Sequence, residues 1–103
     1  MVEICNLRNS VLSIKYDVRI DRRRALGNPF YMSCELERNE VCDKYEEWFK
    51  KQLAEGTNYK FLEELRGITM IYQCYGKIRL FCWCYPKRCH AETIKKFLEG
   101  ELE

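Results

Sequence analysis

The run Lys77-Ile78-Arg79-Leu80-Phe81-Cys82-Trp83 is the most strand-like stretch in the chain, and it stops at Tyr85-Pro86 because proline cannot donate to a ladder. Its neighbours constrain the fold further. Upstream, Phe61, Leu65, Ile68 and Tyr72 fall at i, i+4, i+7 and i+11, which predicts a helix from about Tyr59 to Cys74 that tolerates Gly67 and ends at Gly76. The β-branched run Ile68-Thr69-Met70-Ile71-Tyr72 leaves a strand there as the alternative. Downstream, Ile94, Phe97 and Leu98 share one face of a short helix over Ala91 to Glu99, ahead of Gly100. A strand between helices needs partners, and the amino-terminal part supplies them. Val2-Glu3-Ile4-Cys5-Asn6 and Tyr16-Asp17-Val18-Arg19-Ile20 both alternate apolar and polar residues, with a turn expected at Asn9-Ser10. Val41, Tyr45, Trp48, Phe49 and Leu53 follow helical spacing over roughly Glu37 to Ala54, and Gly56-Thr57-Asn58 supplies a stop and a new cap. The expectation is an α/β fold, a small three- to four-stranded sheet packed with about three helices, in a single domain over residues 1–103.

Composition narrows the partners. Eighteen Lys and Arg against sixteen Asp and Glu leave a formal charge of +2, so no global field directs the chain to nucleic acid or to a membrane surface. No stretch approaches the roughly 20 apolar residues of a membrane span, and the amino terminus lacks the basic flank and apolar run of a signal peptide. No membrane partner is expected, and the chain reads as soluble and cytoplasmic. Seven cysteines would suggest a disulfide scaffold in a secreted protein. Their odd count and uneven spacing, with 47% hydrophobic residues to build a core, favour reduced thiols in a reducing compartment.

The chemistry is densest in Cys82-Trp83-Cys84-Tyr85-Pro86-Lys87-Arg88-Cys89-His90, between the last strand and the last helix. Ligands of α/β sheets bind outside the carboxyl ends of the strands, so the position counts as well as the residue types. Cys89 and His90 would sit beside the free amide groups of the helix start, which lower thiol pKa values. They are the candidate catalytic pair, Cys89 as thiolate and His90, the only histidine, as its base or as a donor. Three other readings stand beside this one. Buried cysteines could simply pack the junction. Cys82, Cys84, Cys89 and His90 offer four zinc ligands, although Cys-x-Cys departs from the usual Cys-x-x-Cys knuckle. Cys82 and Arg88 have the spacing of a phosphatase-like loop, without the glycines that let a backbone wrap an oxyanion.

The second constellation is Arg22-Arg23-Arg24 running into Gly27-Asn28-Pro29-Phe30, an ordered-looking loop in which Pro29 restricts Asn28 to extended conformations. Guanidinium groups beside an aromatic suit phosphate clamping with base stacking. A solvated basic face is the bland alternative. The aromatic stripe of the first helix is expected to be core first and binding site second.

Taken together, these two motifs resemble a domain-of-unknown-function family of uncharacterised domains, common in bacteriophages and also found in bacteria and archaea. The matching residues are Asn6-Leu7-Arg8, Arg22 to Arg24, Gly27-Asn28-Pro29-Phe30, and Cys82-Trp83-Cys84 with Pro86, Cys89 and His90. Ala91 stands where the family often has glycine. The resemblance implies a Rossmann-like, nucleotide-related domain. It directs the functional expectation to a pocket between the two loops that binds or processes a nucleotide or nucleoside-derived ligand. Arg22, Arg23, Arg24 and Arg88 would hold phosphate, Asn28 and Phe30 would meet base or sugar, and Cys89 and His90 would stand at the reacting or anchoring end. No cofactor is expected. The alternatives are a small phage-type protein that binds and modulates a host protein, and a zinc-stabilised structural module. Nucleic acid is disfavoured as a partner.

Overall fold

In the computed structural model, which describes residues 1–8, 12, 15–21 and 24–102, three parallel strands form one sheet in the order β1-β3-β2. The strands are β1 (Val2–Asn6), β2 (Asp17–Arg19) and β3 (Ile78–Cys82). The helices are α1 (Arg38–Glu55), preceded by a 3₁₀ turn at Glu35–Glu37, then α2 (Tyr59–Tyr75) and α3 (Ala91–Leu98). Among the described residues both outer strands pair with β3, Val2 opposite Ile78 and Asp17 opposite Arg79. Asn9-Ser10, where a turn is expected, and Arg22 and Arg23 lie outside the described residues.

The alternation in the strands sorts them into two faces. Val2, Ile4, Val18, Ile78 and Leu80 belong to one, and all of them pack in or against the core. The other carries Glu3, Asp17, Arg19, Arg79 and Phe81. There Arg79 grips Asp17 with a fork, Nε to Oδ1 at 2.7 Å and Nη2 to Oδ2 at 2.8 Å, and stacks over Phe81. Parallel sheets usually have both faces covered by helices and apolar runs in their strands. This one keeps a polar face.

The Ile68 to Tyr72 run is helix, so the sheet stops at three strands. Phe61, Leu65 and Ile68 are buried along one stripe of α2 and Met70 is exposed, a spacing that a strand could not present. Gly56 and Gly76 end α1 and α2 in the left-handed conformation, at φ 64° and 69°. Asn58 caps α2 by accepting from the Phe61 N–H. Tyr45 and Phe49 of α1 are fully buried, and Phe49 meets Phe61 and Phe97 edge to face. The aromatic stripe is therefore core, and it ties the three helices together above the sheet.

Candidate functional site

Three chain segments meet beyond the carboxyl ends of the strands. Asn6, the last residue of β1, donates its side-chain amide to the carbonyls of Trp83 (3.2 Å) and Tyr85 (2.6 Å), and its Oδ1 accepts from the Arg8 N–H. One side chain thus pins the segment that leaves β3. The Tyr85–Pro86 peptide bond in that segment is cis. The chain after β2 bends through Asp21, whose carbonyl accepts from Arg24, and reaches Asn28, whose Oδ1 accepts from the Phe30 N–H across Pro29. Tyr45 donates to the buried Leu26 carbonyl at 2.6 Å, and Glu64 accepts from the Ala25 N–H, fixing this loop to α1 and α2. His90 joins the segments. Its Nε2 donates to the Ile20 carbonyl at the end of β2, while its ring packs edge-on against Tyr45 with centroids 5.1 Å apart.

Between these segments lies a cavity of about 290 Å³. Asp21, Asn28 and Met32 contribute from the second segment, and Trp83, Cys84, Arg88, Cys89 and His90 from the third. Arg38, Val41 and Cys42 of α1 complete it. Arg38 binds Glu35 through Nε and Nη2, both at 2.8 Å, and donates through Nη1 to the Arg88 carbonyl. The bonds to Glu35, and secondarily the Cys84 sulfur, raise its pKa above the ordinary arginine value against the opposing effect of burial. Arg88 in turn reaches Asp43 at 2.8 Å and the Asn39 side chain at 3.2 Å. Both guanidinium groups are therefore positioned before any ligand arrives.

The sulfurs of Cys82 and Cys89 are 3.2 Å apart and buried. A thiol hydrogen bond from Cys89, helped by the backbone N–H groups of Tyr85 and Cys84, lowers the Cys82 pKa to about 7 in spite of burial. Cys89 moves the other way. Its bonds to Cys82 and Cys84, together with burial, push it far above the usual thiol range, and the Ala91 amide at the start of α3 cannot offset them. Cys82 is thus the member of the pair shifted toward the thiolate and Cys89 the member shifted away from it. This corrects the expectation of Cys89 as thiolate: the helix start acts on it in the expected direction and is outweighed by two neighbouring sulfurs.

Other expected residues are distributed differently from the sequence reading. Of the phosphate candidates, Arg88 lines the cavity, whereas Arg24 lines a separate shallow depression with Lys60, Glu63 and Glu64. Phe30 faces another depression beside Trp48 and Lys44. Asn28, Cys89 and His90 come together as expected for one pocket. Among the described residues no three His, Cys, Asp or Glu side chains group to hold a metal ion, Cys82, Cys84, Cys89 and His90 included. His90 is engaged by Ile20, and Cys82 by Cys89. Of the phosphatase-like spacing, Arg88 lines the cavity and Cys82 lies outside its lining. Asp21 and Arg38 were not anticipated. Their only signals are position, Asp21 just past the end of a strand and Arg38 at the start of a helix.

Residues 5–100, which include every segment of this site, match the family described as a domain of unknown function, DUF4326. The chain belongs to that family. No curated protein and no solved structure matches it. The match unites both loops of this DUF4326 domain with the β1 end that pins one of them. No helix among the described residues is long and apolar enough to cross a membrane.

Proposed function

We propose that this DUF4326 domain binds or processes a nucleotide or nucleoside-derived small molecule in the cavity beyond β2 and β3. The observation that carries the reading is the cavity itself. It sits where ligands of open parallel sheets bind, and it brings two prepositioned arginines, a buried carboxylate and a buried amide side chain together. Its volume of about 290 Å³ lies at the lower edge of small-ligand sites, roughly 300–1,000 Å³, which suits a mononucleotide rather than a dinucleotide. Trp83, half exposed at the lining, offers a face for a base, and Arg38 and Arg88 suit a phosphate. Seven free cysteines suit a reducing cytoplasm, including that of a phage-infected host.

Thermal melts of the full chain against a panel of ribonucleoside mono- and diphosphates test this. A ligand that binds only the folded state raises Tm with concentration, by about 2.7 kcal/mol of added stability at a hundredfold excess over Kd. The expected result is such a rise for at least one nucleotide, abolished by Arg88→Ala. A panel without any shift, together with a native mass equal to the bare chain, overturns the reading.

A further inference from the structure

Asp21 and Asp17 flank the same short strand, and each is held by an arginine, but the two pairs are not alike. Asp17 gives both oxygens to Arg79 in a fork on the polar face of the sheet. Asp21 gives only Oδ2, to Arg19 Nη2 at 2.7 Å. Among the described residues its buried Oδ1 has no hydrogen-bond partner, nor has Arg19 Nε, so the fork is left half made. The Asp21 side chain is 5% exposed and lines the cavity. Buried acceptors are nearly always answered by a donor, and an orphan in a native interior calls for a reason. The same sheet satisfies a carboxylate completely one turn of strand away. Asp21 differs in facing the cavity.

The cavity therefore presents two kinds of polar demand. Arg38 and Arg88 favour an anion, and the open oxygen of Asp21 favours an N–H or O–H. A fully deprotonated oxyanion such as sulfate answers only the first demand and would bring an acceptor against an acceptor at Asp21. An apolar ligand answers neither.

We infer that Asp21 is the recognition residue of the cavity, reading a hydrogen-bond donor on the ligand, either a ribose hydroxyl or an amino-bearing base edge, while the ligand's anionic end lies toward Arg38 and Arg88. The inference rests on the nucleotide reading of the site and specifies which part of the nucleotide is read. His90 and Asp21 are linked in this role, because His90 holds the Ile20 carbonyl and so fixes the backbone immediately before Asp21. His90 is accordingly a positioning residue.

The experiment is calorimetric titration of the full chain with the tightest ribonucleoside monophosphate of the panel, with its 2′-deoxy counterpart and with an analogue lacking the exocyclic amino group. Asp21→Asn and Arg88→Ala are titrated in parallel. In Asp21→Asn the single oxygen is required by Arg19, so the NH₂ group faces the ligand and meets donor with donor. Affinity is expected to fall by about tenfold or more. In the wild type, one of the two analogues should lose a comparable factor; loss with the 2′-deoxy compound assigns the ribose, loss with the other assigns the base. If Asp21→Asn misfolds, the wild-type analogue comparison decides alone. Equal binding of the parent and both analogues, or full affinity in Asp21→Asn, overturns the inference; Arg88→Ala losing affinity in that case leaves the nucleotide reading standing. Absence of binding by any nucleotide overturns both.

Discussion

Cys82 and Cys89 show how two residues of one type acquire opposite behaviour from their neighbours. Cys82 collects donors, two backbone N–H groups and a thiol, whereas Cys89 faces two sulfurs. In the unfolded chain both titrate near 9.0, the ordinary thiol value. As pH rises from 7 to 9 the folded pair has already released one proton that the unfolded chain still holds, so stability increases. Above 9 the unfolded chain has lost both protons and the folded pair keeps one, so stability declines. The thermal midpoint of the wild type relative to that of Cys82→Ser should therefore rise between pH 7 and 9, a difference in which the raised thiols of Cys5 and Cys42 cancel. Ultraviolet thiolate absorbance should show one group titrating near 7, absent in Cys82→Ser and moved upward in Cys89→Ala, which removes the donor. A folded Cys89→Ala protein with the early phase unmoved would refute Cys89 as that donor. At this scale the sequence exposes residue types and little else. Cys89, His90 and Asn28 stand out because cysteine, histidine and an Asn-Pro pair are chemically conspicuous. Asp21 is one of sixteen acidic residues, and nothing in the text marks it as buried at the cavity. Arg38 was passed over for a conspicuous arginine trio whose one described member, Arg24, lies elsewhere.

Elements were far more legible. Their periods are local, and each helix carries its own stop signals, so the boundaries of α1, α2 and α3 fall within a residue or so of those expected from spacing. The one ambiguity, Ile68 to Tyr72, arises because β-branched residues favour strands intrinsically while packing favours whichever geometry buries them. Phe61 and Leu65 decide it, since their burial together with Ile68 demands a continuous helical face. Thr69 contributes by donating its hydroxyl to the Leu65 carbonyl, a bond available within a helix. The end of α2 matters for the site, because Gly76 turns the chain directly into β3. At φ 69° a side chain is strained even though the space around Gly76 is open. Gly76→Ala should therefore cost about 1 kcal/mol in chemical denaturation, with the slope of the transition unchanged. A neutral or stabilising effect would show that the turn is not held in the left-handed region.

At the scale of the whole molecule, connection is what local patterns could not reveal. Alternation identifies three strands, but their order β1-β3-β2 depends on long-range pairing, and so does the meeting of Asn6, Asp21 and Cys84 at one end of the sheet. The order has a measurable consequence. A fragment ending at Gly76 keeps the sequences of α1 and α2 but lacks β3, the strand with which β1 and β2 pair. It should retain helical circular dichroism yet melt without a cooperative transition, whereas the full chain should melt in one step. A cooperative transition in the fragment would contradict the central role of β3. The same order sets a timetable during synthesis. The first two strands to emerge have edges but no partner, and they must wait through two helices for Ile78 to Cys82 to pass between them. A cell making this protein carries each nascent chain through that interval with two open strand edges, in need of shielding from its neighbours. The cavity lining is not complete until His90 has been joined, so the cavity is among the last features the chain acquires.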